Sequence, residues 1–185
     1  SRSSVVARLL SGPSVTSVAV GPFWAAASLP AADKTAPGNL VLFRHDGSHI
    51  RSTQVGALPD MVTFDPTGLR VLVANEGEPN SYGQPDSVDP VGSVSVVNAL
   101  FLAVGISGNV RTIEFTDFNT GGPRAGELPA GVRIFGPGAS VAQDLEPEYI
   151  TLDAANPLRA FGTLQENNAV AELDLARMRV KAIRA

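Results

Sequence analysis

Residues 130–175 read AGVRIFGPGASVAQDLEPEYITLDAANPLRAFGTLQENNAVAELDL, and the fold is decided in this stretch. Two β-patterned runs, Tyr149 to Leu152 and Ala160 to Leu164, flank a turn-rich DAANP, and a third, Ala169 to Leu175, follows almost at once. Short apolar runs separated by Asn, Pro and Gly are the punctuation of an antiparallel meander. Arg179 to Arg184 supplies a fourth run. Carboxylates interrupt the pattern, with Glu146 and Glu148 before the first run and Glu166 after the second.

The same grammar occurs twice more toward the N-terminus. Val15 to Val20 and Phe23 to Ser28 are separated by Gly21-Pro22. A polar loop, PAADKTAPG, leads to Asn39 to Arg44, the turn His45-Asp46-Gly47 and a more polar run from His49 to Val55. Four runs in roughly forty residues is the spacing of a propeller blade. The pattern restarts with Met61 to Phe64, the turn Asp65-Pro66-Thr67-Gly68, Leu69 to Ala74, the long loop NEGEPNSYGQPDSVDP, Ser93 to Val97 and Val110 to Phe115. Residues 98–108 have room for a helical turn or two, and Gly- and Pro-rich residues 118–140 form an excursion. The expectation is an all-β, partial β-propeller in a single domain over 1–185, with blades at 15–56, 57–117 and 141–185.

Two units align in detail. LPDMVTFDPTGLRVLVANEGE lies over EPEYITLDAANPLRAFGTLQENN, setting Pro59 over Pro147, Asp60 over Glu148, Thr63 over Thr151 and Asp65 over Asp153. With two extra residues in the second turn, Asn75-Glu76 falls over Gln165-Glu166. Repetition of this kind belongs to stacked or radial units that bury their faces on one another. In a blade the innermost strand comes first and the second returns beside it. The starts of first strands, carrying Asp60 and Glu148, and the ends of second strands, carrying Asn75, Glu76, Gln165 and Glu166, therefore converge on one rim. Carboxylates brought together repel and raise one another's pKa unless a cation compensates. Oxygen donors with amide carbonyls beside them suit calcium or magnesium. The expected cation ligands are Asp60, Glu76, Glu148 and Glu166, with calcium as the ion, and Asn75, Gln165 and Asn167 are the expected ligand-binding amides. Glu78, Asp86 and Asp89, in the long loop on the same side, extend this rim or solubilise the loop.

Composition excludes other classes. The chain has 185 residues, 44% of them hydrophobic, with a net charge of −4 and no cysteine. A core is affordable, thiol chemistry and disulfides are absent, and the positive residues form no cluster that would release counterions from nucleic acid. No apolar run approaches the roughly 20 residues that span a bilayer. Gly136-Pro137-Gly138 lacks the Lys and Ser/Thr of a phosphate loop and reads as a turn. His45 and His49 flank a turn and read as surface residues; HExxH and GxSxG motifs are absent. Phe23 and Trp24 are expected to pack between blades. Gly162 marks a weakened strand or a close backbone approach. Arg2 and Arg8 before an apolar stretch ending Ala25-Ala26-Ala27 loosely have the layout of a signal peptide, interrupted by Pro13 and Gly21-Pro22. The start at Ser1 suggests a processed chain or a fragment.

ALPDMVTFDPTGLRVLVANEGEPN, VGSVSVV, GVRIFGPGASVAQDLEPEYITLD and LQENNAVAELDL together resemble the repeat signature of the choice-of-anchor I proteins, a family of exported β-propellers that also includes mesenchyme-specific cell-surface glycoproteins. The resemblance covers residues 38–176 and rests chiefly on DLEPEYI and LQENNA. It implies an extracytoplasmic, secreted or surface-attached propeller with more blades than the three read here. The expected function is a non-catalytic binding module for an unknown ligand or surface protein. A calcium-dependent hydrolase of phosphoesterase or lactonase type, completed by further blades, is the alternative, and a structural or adhesion segment the third.

Overall fold

The computed structural model describes residues 14–185, so the signal-peptide reading of Arg2 and Arg8 lies outside the described residues. The strands are β1 (Ser17–Val20), β2 (Ala25–Leu29), β3 (Pro37–Phe43), β4 (His49–Ala57), β5 (Pro59–Phe64), β6 (Arg70–Asn75), β7 (Ser93–Asn98), β8 (Val110–Glu114), β9 (Ile150–Asp153), β10 (Asn156–Leu164), β11 (Ala169–Asp174) and β12 (Arg179–Arg184). They form three four-stranded antiparallel meanders, each in chain order. This is the all-β, partial-propeller architecture expected from the sequence.

Turn chemistry sets the hairpins. In the DPTG turn the buried Asp65 carboxylate accepts from the backbone N–H groups of Leu69 (3.1 Å) and Arg70 (3.0 Å) and from Arg70 Nε (3.0 Å). Gly68, at φ +70°, closes the turn by donating its N–H to the Asp65 carbonyl at 2.9 Å. Asp153 repeats this role, accepting from Ala155 N–H at 2.9 Å and Arg159 Nη1 at 3.4 Å. The aligned aspartates thus each hold a turn and an arginine. The turn in DAANP is tighter than the sequence suggests, because β10 begins at Asn156 and absorbs the extra residues in a bulge before Ala160.

Burial explains why the middle blade reads as nearly continuous apolar runs. Side chains alternate across a strand. On β6, Val71 and Val73 enter a core shared with Leu40, Leu42 and Val62 of the neighbouring strands, while Leu72 and Ala74 enter the opposite core with Ile150, Leu164 and Leu173. Both faces of the sheet are covered, so both parities are apolar. Phe118, Val132, Ala142 and Leu145 from the 116–149 excursion extend the second core. The excursion contains 3-10 turns at Thr116–Phe118 and Ala125–Glu127 and a helical turn at Val141–Asp144.

The first strands of the sheets run in the same direction. Thr16 Oγ1 donates to the Pro59 carbonyl at 2.6 Å, and Val62 N–H donates to Ser17 Oγ at 3.2 Å, which sets the start of β1 beside the start of β5. At the far end, Arg70 Nη2 donates to the Pro157 carbonyl at 3.0 Å, tying the second sheet to the third. All β1-, β5- and β9-type starts therefore share an upper end, and the hairpin turns at Gly21, Asp65 and Asp153 share a lower end.

Trp24 packs against the first core, and Phe23, 56% exposed, lies against Gly68 of the second sheet. Of the two readings of Gly162, a weakened strand or a close backbone approach, the second does not hold, since the nearest atom to a Cβ there would be 3.7 Å away; the close approach is at Gly92, where a Cβ would fall 1.9 Å from the Leu145 carbonyl oxygen. Gly92→Ala is therefore expected to lower the melting temperature, and Gly162→Ala to raise stability by about 0.5–1 kcal/mol through the lost freedom of the unfolded chain. Thermal melts of the two variants against the parent check both signs.

Candidate functional site

The upper end carries the acidic residues singled out in the sequence. Asp60 follows Pro59 at the start of β5, after Leu58 in the left-handed region at φ +45°. Glu76 leaves the end of β6, where its N–H donates to the Leu58 carbonyl at 2.9 Å and Gly77 N–H donates to the Ala57 carbonyl at 3.2 Å. These bonds fix Asp60 and Glu76 on one ledge. Glu148 enters from the third unit, its N–H donating to the Thr163 carbonyl at 3.1 Å and its carboxylate accepting from Gln165 Nε2. Glu166 is exposed, 4.0 Å from Arg133 Nη2. Glu78 extends the rim and is paired with Lys34 Nζ at 2.8 Å.

Glu146 differs from the others. It is 2% exposed, and its N–H donates to Asn167 Oδ1 at 3.3 Å. Its carboxylate has no hydrogen-bond or ion-pair partner among the described residues. Its chain neighbours Leu145 and Pro147 abut Gly92, which in turn abuts Gly77 and the Glu76 carbonyl, and a Cβ at Gly92 would fall 1.9 Å from the Leu145 carbonyl oxygen. The neighbouring Asp144 is satisfied, accepting from Phe135 N–H (2.7 Å) and Gly136 N–H (2.6 Å) in the GPG turn.

The three amides have different surroundings. Gln165 is exposed and contacts Glu148. Asn167 is fully buried, its Nδ2 donating to the carbonyls of Arg133 (2.9 Å) and Asp144 (2.6 Å), so that it ties the excursion to the β10–β11 turn. Asn75 is also fully buried, with Nδ2 donating to Ser93 Oγ (3.1 Å) and Ser95 Oγ (2.9 Å), and its Oδ1 has no partner among the described residues.

Burial and mutual repulsion govern the charge of the rim. Glu76 is pushed up to about 7, first by burial and then by Asp60, Glu78 and Glu148, with Lys34 pulling the other way. Glu146 is pushed up to about 8, first by burial and then by Glu76, Glu78, Asp144 and Glu166. Burial raises Asp60, and burial, Asp60 and Glu166 raise Glu148. The cluster carries more negative charge than its two nearby cations, Lys34 and Arg133, offset. Among the described residues no three carboxylates stand close enough together to chelate a metal ion by themselves. Sequence reasoning marked Glu146 as a carboxylate in the segment but did not assign it to the site. The available signal was its position two residues before Glu148, on the same side of an extended segment.

A family model described as the choice-of-anchor I domain matches residues 3–185. The chain belongs to the choice-of-anchor I family. No curated protein matches this choice-of-anchor I chain. Among solved structures it is similar to the hydrazine synthase of Kuenenia stuttgartiensis, with a TM-score of 0.49 and 10% identity over 85% of this chain. It spans 39% of the length of that protein.

The raised carboxylates make stability pH-dependent in a defined direction. In the unfolded chain Glu76 and Glu146 lose their protons near 4.5, whereas in the fold they keep them to about 7 and about 8. The folded state then binds more protons, so the stability they contribute is complete below about 4.5 and is lost as the pH rises through 7 and 8. Melting between pH 5 and pH 8 is expected to drop by on the order of 5 °C, and Glu146→Gln is expected to remove much of that drop. A pH-independent melt in the parent would contradict this electrostatic account.

Proposed function

We propose that this choice-of-anchor I chain is a non-catalytic binding module of a secreted or cell-surface protein, and that its acidic rim engages its ligand through a calcium ion. The family membership supports the extracytoplasmic setting. Among the described residues no helix is long and apolar enough to cross a membrane.

The observation that carries the reading is the pair Glu76 and Glu146, both pushed up first by burial and then by surrounding carboxylates, with no cation bonded to either among the described residues. Leaving a buried charge unpaired costs several kcal/mol, so such a group stays protonated or is neutralised by a cation. The donor chemistry fits a hard ion, since Glu76, Glu146, Asp60 and Glu148 offer only oxygen. Calcium tolerates irregular shells of six to eight oxygens. Carboxylates that do not converge into a closed cage leave most of those positions to water and to the oxygens of a ligand. An ion so held bridges module and ligand; its affinity belongs in the weak range typical of extracellular modules.

Calcium titration followed by thermal melting at pH 7.5 tests the proposal. Saturation at about 100 times the dissociation constant is expected to add about 2.7 kcal/mol of stability. The shift should vanish in Glu146→Gln and shrink in Asp60→Asn. No shift in the parent at millimolar calcium would overturn the reading.

A further inference from the structure

The lower end carries exposed apolar side chains and arginines. We infer that it is a membrane-contact face, on which an apolar knuckle ringed by arginines docks onto an anionic lipid bilayer. The knuckle is the β7–β8 connection. Its helix, Ala99–Val104, is capped by Asn98 Oδ1, which accepts from Phe101 N–H at 2.9 Å. Ala99 and Leu102 are buried, and Ala99 N–H donates to the Leu69 carbonyl at 2.8 Å. Gly105, at φ +78°, reverses the chain, and Ile106 N–H donates to the Phe101 carbonyl at 2.8 Å. A rigidly seated loop therefore holds Leu100, Phe101, Val104 and Ile106 outward, 45%, 40%, 59% and 47% exposed.

The apolar surface continues onto the adjoining turns. Leu69 is 42% exposed, and Gly68 beside it packs against Pro22 and Phe23, the latter 56% exposed. A patch crossing two blades is more than the scattered apolar residues of an ordinary surface. Around it stand cations. The guanidinium of Arg51 lies against Gly105, and Arg111 leaves β8 beside the knuckle; both are exposed, and neither forms an ion pair among the described residues. Arg44, in the turn before His49, is at the same end. The carboxylates Glu76 and Glu146, without an ion pair among the described residues, are at the opposite end.

Charge complementarity selects the occupant. A symmetric contact between two copies of this chain would set the arginine ring against itself, which is repulsive. An anionic headgroup layer over an acyl interior matches both parts of the face: arginines at the headgroups and Phe101, Val104 and Ile106 below them. Docked this way, the chain presents its acidic rim away from the membrane.

Flotation with vesicles tests the inference. The parent is expected to float with phosphatidylcholine vesicles containing phosphatidylglycerol, and to bind pure phosphatidylcholine about tenfold less, with the difference narrowing at high salt. Phe101→Ser combined with Val104→Ser should reduce binding about tenfold without lowering the melting temperature, since both positions are exposed. Arg51→Glu combined with Arg111→Glu should abolish the preference for anionic lipid. Failure of the parent to float with anionic vesicles, or flotation that survives the Phe101/Val104 change, would overturn the inference. So would concentration-dependent self-association that the same change abolishes, which would make the face an interface between copies.

Discussion

The parallel, side-by-side packing of first strands is the constraint from which the rest of the molecule follows. Thr16 reaches the carbonyl of Pro59 and Ser17 accepts from Val62, so β1 and β5 begin at the same height. Within each antiparallel meander, the entry of the first strand and the exit of the second must then lie at that height too. The acidic rim and the arginine-ringed lower end are consequences of connectivity acting on where charges fall in the sequence.

Packing makes this geometry rigid. The middle sheet sends alternate side chains of one strand into two separate cores, Val71 and Val73 one way and Leu72 and Ala74 the other. A one-residue slip of β6 would exchange the two sets and leave Asn75, hydrogen-bonded to Ser93 and Ser95, without its partners. Polar residues within the sheets are tolerated where they are satisfied. Glu172, fully buried on β11, accepts from Lys181 Nζ (2.8 Å), Arg159 Nε (2.9 Å) and Arg184 Nη2 (3.1 Å). The Lys181 hydrogen bond foremost, with Arg184 and Arg159, holds its carboxyl down to about 2. Glu146 is its counterpart without cations. Two buried glutamates in one unit thus sit on opposite sides of the ordinary carboxylate range: burial and neighbouring carboxylates raise Glu146, while bonded cations outweigh burial at Glu172.

Much of this was legible in the sequence. The alternation and turn residues located the strands, and the alignment of Asp65 with Asp153 identified two carboxylates that perform the same turn-closing task. The rim positions of Asp60, Glu76, Glu148 and Glu166 followed from blade connectivity. What the sequence did not disclose depended on contacts between distant segments. The isolation of Glu146 arises where Leu145 meets Gly92, 53 residues earlier in the chain. Phe23 and Trp24 were expected to pack between blades; Trp24 packs against the first core, while Phe23 lies against Gly68 of the second sheet with its ring largely exposed. Gly162 carried the composition signal of close approach, yet its surroundings have room for a methyl group.

Distances between spin labels test the shared height of the first strands most directly, since the chain has no cysteine of its own to interfere. One pair, Asp60→Cys with Gln165→Cys, labels two positions assigned to the same end; a second, Asp60→Cys with Ala154→Cys, labels opposite ends. The second distance is expected to exceed the first, because it includes the roughly 16 Å height of a strand of five residues in addition to the lateral offset between sheets. Equal distances, or a longer first one, would contradict the arrangement.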